Sequence, residues 1–303
     1  MPAIDPVDAN APTAAAGATV SDVRTAGTVP DPLAEGSQLG GRYLIVKFLA
    51  AGGMGEVYEA RDQLLGEPVA IKLMRCELMG KPGAQERFAD EIRLARKVTH
   101  INVCRVFDVG TDGERVFYTM ELHGGETLAA RLGRAGKLPL DEVRPIAAQL
   151  LSGIAAAHAA DVIHADLKPS NVLLDHKGRV RVTDFGLAAS LCATPGCECS
   201  QPHLIGTPAY MAPEQVEGRD LFEGTDLFSF GVILFELLTG KLPWCGASLL
   251  ELARARLTGP TPSPRAIDPT IDPVWDAVVQ RCLCRERDAR WASAAEVARA
   301  LAL

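Results

Sequence analysis

The hydrophobic period changes once, near residue 122, and this limits the architecture more than any other feature of the 303 residues. Before it, apolar residues come in short runs: YLIVKFLA (43–50), GEVYEARD (55–62), EPVAIKLM (67–74), NVCRVFDVG (102–110) and RVFYTMEL (115–122). Their β-branched and aromatic content and the turns between them predict strands, the first three antiparallel. One amphipathic segment, AQERFADEIRLARKV (84–98), puts Phe88, Ile92 and Ala95 on a single helical face. After HGGETL (123–128) the runs lengthen. LAARLGRAG, DEVRPIAAQLLSGIAAAHAAD, FSFGVILFELLTG, SLLELARARL, PVWDAVVQRCLC and SAAEVARALAL all predict helices. In this second half only VIHAD (162–166), VLLD (172–175) and RVRVTDF (179–185) read as strands. The pattern predicts an α+β chain, mostly β with one main helix in its first half and mainly helical in its second.

Residues 1–38 hold no aromatic and one basic residue, Arg24, among many Ala, Pro, Thr and Asp. Such a stretch buries too little apolar surface to offset its ordering entropy, so a disordered tail is expected there, followed by lobes over 39–122 and 123–303. The net charge of −7 gives no overall pull toward nucleic acid. The most apolar stretch, residues 146–164, is interrupted by Gln149, Ser152 and His158 and suits a buried helix, so no membrane insertion is expected of this chain. The N-terminus lacks a basic region followed by an apolar one, which makes the cytoplasm the expected compartment. Without such a leader, the eight cysteines read as reduced thiols.

Chemistry concentrates in a few stretches. In FLAAGGMGEVY (48–58), Gly52, Gly53 and Gly55 lie in a turn between two strands, where backbone N–H groups can approach and face phosphates. In VAIK, Lys72 points from a strand, and Glu91 on the predicted helix offers a carboxylate to hold that ammonium against a polyphosphate. IHADLKPSN (163–171) places His164, Asp166, Lys168 and Asn171 on one loop, and Asp184-Phe185-Gly186 and Ala212-Pro213-Glu214 follow.

In this order the segments resemble the protein kinases over roughly residues 40 to 303, and GTPAYMAPEQ (206–215) with D-L-K-P-S-N resembles the bacterial eukaryotic-like serine/threonine kinases most. The resemblance implies a bilobal protein-kinase-like fold, with a β-rich N-lobe and a mostly helical C-lobe. It implies transfer of the γ-phosphoryl group of ATP to serine or threonine hydroxyls of protein substrates. Nucleotide contacts are expected from Leu49, Ala50, Ala51, Gly52, Gly53, Met54, Gly55, Glu56, Val57, Lys72 and Glu91, and from a hinge over Glu121 to His123 behind a gatekeeper, Met120. Asn171 and Asp184 supply the oxygen ligands that Mg²⁺ prefers, with Mn²⁺ as its substitute. By the same resemblance, Asp166 is expected to accept the acceptor's proton, Lys168 to neutralise charge on the moving group, and Thr207 to bridge the two. Glu214 is expected to pair with Arg290, and Asp226 to hold the backbone of the catalytic loop. Self-association would serve autophosphorylation, for which the tail offers threonines and a serine. The competing reading is a pseudokinase scaffold that binds nucleotide or partners without turnover.

Two positions depart from the family pattern. Ala50 stands where the first loop glycine is usual, which is expected to affect ATP affinity modestly. Ala165 replaces the arginine that pairs with an activation-loop phosphate in many kinases, so activity is expected not to depend strictly on that phosphate. Cys192, Cys197, Cys199 and His203 lie within twelve residues of the activation segment. A zinc site of uncommon spacing, a reversible disulfide and free thiols all remain open there.

Overall fold

The computed structural model describes residues 33–79, 83–185, 208–246 and 248–303. Six strands form one antiparallel sheet in the order β1-β2-β3-β4-β6-β5: β1 (Gln38–Leu39), β2 (Tyr43–Ala51), β3 (Gly55–Asp62), β4 (Pro68–Met74), β5 (Val106–Asp112) and β6 (Arg115–Glu121). Alternation along each strand sorts the side chains into two layers. Tyr43, Ile45, Tyr58, Val69, Ile71 and Phe117 pack on the outer face. Ala70, Met74, Tyr118 and Met120 pack on the inner face against Phe88 and Ile92 of helix α2 (Ala84–Ala95), which follows the short α1 (Cys76–Met79). Lys72 shares the parity of Ala70 and Met74, so the sheet delivers its ammonium to the inner side. Ordered contact begins before the expected boundary at residue 38. Leu33 donates its N–H to the Tyr58 hydroxyl at 3.1 Å, and Gly36 bonds to the Ile45 carbonyl at 2.9 Å. The expectation for residues 1–32 lies outside the described residues.

The second half is built on α3 (Leu128–Ala135), α4 (Leu140–His158), α5 (Pro213–Val216), α6 (Glu223–Thr239), α7 (Leu249–Thr258), α8 (Pro273–Cys282) and α9 (Ala294–Ala300). Helix α6 is buried over nearly its whole length and forms the centre of the larger core with α4, α8 and α9. This explains its apolar character on every side, since a helix surrounded by others has no solvent face to keep polar.

A small sheet, β7 (Glu126–Thr127), β8 (Val172–Leu174) and β9 (Val180–Val182), lies on the helical base. Two details correct the sequence reading. Residues 123–128 contribute the unforeseen strand β7, while 162–166, expected as a strand, form none. The neighbour of β9 is instead the stretch 102–104: Cys104 N–H donates to the Val182 carbonyl at 2.8 Å and Val182 N–H to the Asn102 carbonyl at 2.9 Å. Residues 164 and 165 give their N–H groups to a carboxylate, described below. No helix among the described residues is long and apolar enough to cross a membrane.

Candidate active site

The catalytic loop follows helix α4 and is held from beneath by one buried carboxylate. Asp226, in the first turn of α6 and 1% exposed, accepts from His164 N–H at 2.8 Å and from Ala165 N–H at 2.9 Å, while His158 Nε2 sits 2.8 Å from its Oδ2. These bonds maintain Ala165 at φ 62°, a left-handed conformation that costs an L-residue roughly 1–2 kcal/mol. The same geometry excludes the strand expected over 162–166. His164 faces the other way: its Nε2 donates to the Thr183 carbonyl at 2.8 Å and its Nδ1 accepts from Asp166 N–H at 3.2 Å. One neutral tautomer satisfies both bonds.

Asp166 is mostly enclosed by its own loop. Lys168 Nζ lies 2.6 Å from Oδ2, and Asn171 Nδ2 donates to the Asp166 carbonyl at 2.8 Å and to Oδ2 at 3.2 Å. With the amide hydrogens of Asn171 directed at Asp166, its Oδ1 remains for another partner. Thr183 N–H bonds to the Asn171 carbonyl at 2.9 Å, which staples the loop to the residue just before Asp184. The ring of Phe185 packs on His164 at 4.6 Å between centroids.

Asp184, also left-handed at φ 65°, receives two donors. Lys72 Nζ lies 2.6 Å from Oδ2, and the Tyr118 hydroxyl donates to Oδ1 at 2.5 Å. Burial alone would raise the pKa of this carboxyl; the Lys72 ammonium and the bonds from Lys72 and Tyr118 outweigh it and hold the group below its ordinary range. The structure therefore brings Lys72, Asp166, Lys168, Asn171 and Asp184 to one region where the two halves meet.

It does not bring Glu91 to Lys72. No ion pair joins them among the described residues, and Glu91 remains half-buried on α2 with its pKa raised, first by burial and then by the neighbouring Asp90 charge. The expected lysine–glutamate pair is replaced by a lysine–aspartate pair. Sequence order could not settle this choice, because the position of α2 on the sheet decides whether Glu91 meets the ammonium, and no local pattern fixes that position.

The glycine loop connects β2 and β3, closed by a bond from Gly52 N–H to the Gly55 carbonyl at 2.8 Å. Gly55 is required by the fold, since a Cβ there would lie 2.0 Å from the Leu73 carbonyl oxygen of β4. At Gly52 and Gly53 a Cβ would meet nothing within 4 Å. Leu49, Ala50, Ala51, Gly52 and Gly53 are exposed, Glu56 and Val57 half-exposed, whereas Met54 is turned in and buried within the inner cluster.

At the hinge, Met120 is buried with the inner cluster. Glu121 and His123 are partly exposed, with His123 Nε2 3.2 Å from Glu121 Oε2 and Arg181 Nε donating to the same ring nitrogen at 2.8 Å. Burial is the main cause of a lowered His123 pKa. Beneath the catalytic loop, Arg290 makes two bonds to Glu214, at 2.8 and 2.9 Å, as expected. Gly186, Thr207 and the Cys192, Cys197, Cys199 and His203 group lie outside the described residues.

Sequence reasoning missed Tyr118. Its signal was strand pairing: in the β4–β6 register Tyr118 lies directly opposite Lys72, two positions before Met120 on the same face.

The fold agrees with what is known of other proteins. The family pattern described as a protein kinase domain matches residues 43–300. The chain is 32% identical to the serine/threonine-protein kinase PrkC of Bacillus subtilis, over 86% of this chain and 40% of that protein. It is 34% identical to the serine/threonine-protein kinase PknA of Mycobacterium tuberculosis, over 88% of this chain and 62% of that one. The chain thus spans 40% to 62% of the length of these two relatives. Among solved structures, the kinase domain of Mycobacterium tuberculosis PknI superposes with a TM-score of 0.72 at 24% identity, covering 89% of this chain and 98% of that one, which speaks to the fold. With most of its length matched by the family pattern, the chain belongs to the protein kinases, among the bacterial serine/threonine kinases of eukaryotic-like type.

Proposed function

We propose that the chain transfers the γ-phosphoryl group of ATP to serine or threonine hydroxyls of protein substrates. The observation that carries this reading is the convergence of Lys72, Asp166, Lys168, Asn171 and Asp184 on one region, through two bonds of 2.6 Å and the staple between Asn171 and Thr183. Bound Mg²⁺, or Mn²⁺ in its place, would neutralise the phosphates and supply the charge stabilisation that phosphoryl transfer requires. The residues present suit such an ion: Asp184 is held ionised, and Asn171 commits its amide nitrogen to Asp166, leaving its amide oxygen as the kind of hard donor a divalent cation prefers. The open space over Gly52 and Gly53 supports close approach of phosphates, because the fold itself does not crowd those positions.

Each residue then has a distinct task. Lys72 holds phosphate oxygens, and the backbone of Glu121 to His123 bonds the adenine. Asp166 orients the acceptor hydroxyl and takes its proton. Lys168, 2.6 Å from Asp166, keeps positive charge beside the transferring group. Glu91 pairs with Lys72 in the working arrangement, which requires α2 to shift relative to the present structure. Self-association would allow one copy to phosphorylate another. The cytoplasm is the compartment that fits, being rich in ATP and reducing, and Cys76, Cys104, Cys245, Cys282 and Cys284 are free thiols.

Incubation with labelled ATP and Mg²⁺, followed by mass spectrometry, tests this reading. Phosphoserine or phosphothreonine should appear on the chain or on an added protein. Asp166→Asn should slow turnover by roughly a hundred- to ten-thousand-fold, the usual worth of a positioned proton acceptor, while nucleotide binding persists. A wild-type chain that binds nucleotide and transfers nothing would instead be a scaffold.

A further inference from the structure

Asp184 has a second anchor that the kinase reading leaves unexplained. Tyr118 is 1% exposed, and its hydroxyl donates to Asp184 Oδ1 at 2.5 Å from strand β6, which is paired on both sides, by β4 and by β5. The ring rests against Phe88 of α2, 6.1 Å between centroids. A phenol in such a setting has little freedom to aim elsewhere, and Asp184 is its only bonding partner among the described residues.

The two oxygens of Asp184 therefore have different partners. Oδ2 is bonded by Lys72, which turns to Glu91 in the working arrangement proposed above. Oδ1 is bonded by Tyr118, which has no alternative. If Lys72 turns to Glu91 during the reaction, Tyr118, carried by a strand paired on both sides, is the donor left to fix the plane of the carboxylate. A carboxylate offers about four lone-pair positions, so one O–H bond leaves room for a cation on the same group. The left-handed backbone at Asp184 persists only where surrounding interactions hold it, and the Tyr118 bond is one of them.

We propose that Tyr118 is a positioning residue for Asp184, holding its carboxylate in the orientation that takes up the divalent cation accompanying the nucleotide. This inference rests on the kinase reading and adds to it a residue that touches neither nucleotide nor acceptor. Hydrogen-bond partners of ligating side chains typically account for about ten- to a hundred-fold in metal affinity.

The test is a Mn²⁺ titration of the full chain, read by electron paramagnetic resonance, with a non-hydrolysable ATP analogue present. Tyr118→Phe should bind Mn²⁺ roughly ten- to a hundred-fold more weakly than the wild type. Its affinity for the analogue without metal and its melting temperature without ligand should stay near wild-type values, which separates lost positioning from general damage. Tyr118→Met, which also fills the space with apolar atoms and lacks the hydroxyl, is the second variant should the first be unstable, and the same loss is expected. If the wild-type chain takes up Mn²⁺ with the analogue and the variants take it up equally or more tightly, this inference alone is overturned. If the wild-type chain takes up neither analogue nor ion, the kinase reading fails and this inference with it.

Discussion

At the scale of single residues, buried charges define the site and also set its liabilities. Arg290 and Glu214 are 2% and 1% exposed, and the arginine also donates to the carbonyls of Cys284 and Gly224. Burial alone would raise the Glu214 pKa, but the bonds from Arg290 and Thr225 outweigh it and hold it below the ordinary carboxylate range. Removing one partner of such a pair leaves an uncompensated buried charge, so Arg290→Met should destabilise the fold by about 3–5 kcal/mol in urea unfolding at neutral pH. A depressed carboxyl pKa contributes stability above the unfolded value and loses it as pH falls through the folded one. The gap between wild type and variant should therefore narrow on acidification below the ordinary carboxylate range. Equal stability at neutral pH would remove this pair from the account. The expected roles of Asp166, Lys168 and Asn171 came from the match of IHADLKPSN to the kinase pattern. The partner of Lys72 was not legible in this way, because it depends on where α2 and Asp184 come to lie against β4.

At the scale of elements, α2 carries the largest difference between expectation and structure. Its register was readable: Phe88, Ile92 and Ala95 form the buried face, as the period of 3.6 requires. Its distance from β4 was not readable, because amphipathicity fixes which face is buried and leaves the helix free to slide on that face. Glu91 records the result. Its raised pKa means that the folded state favours the protonated form, so ionised Glu91 opposes this arrangement above its folded pKa, and the penalty fades as pH falls through it. Glu91→Gln should thus raise the melting temperature near pH 7, with the gain vanishing in acid, and should lower turnover by depriving Lys72 of its working partner. Unchanged melting together with unchanged turnover would contradict both halves of this statement. Strand β7 and the non-strand at 162–166 were missed for a related reason. A run of two or three extended residues carries no period, and pairing partners from distant segments decide whether it joins a sheet.

At the scale of the whole molecule, activity depends on how the β-rich half meets the helical half. The counter-charge that an arginine before the catalytic aspartate usually gives an activation-loop phosphate is missing, since Ala165 is buried and makes only backbone bonds, its N–H to Asp226 at 2.9 Å and its carbonyl to Gln215 Nε2 at 2.6 Å. Phosphatase treatment of the purified chain should therefore leave most of its turnover intact; abolished turnover would show that another basic group serves as counter-charge. What the sequence by itself determined is the order of elements, the two-part division and the identities of the polar residues on the loops, because hydrophobic period and loop spacing are local properties. Only the tertiary structure decided that Lys72 bonds Asp184, that Tyr118 joins them, and that Met54 turns inward. Those outcomes depend on distances between segments that approach one another only after the sheet and helices have packed, and no local pattern encodes a distance of that kind.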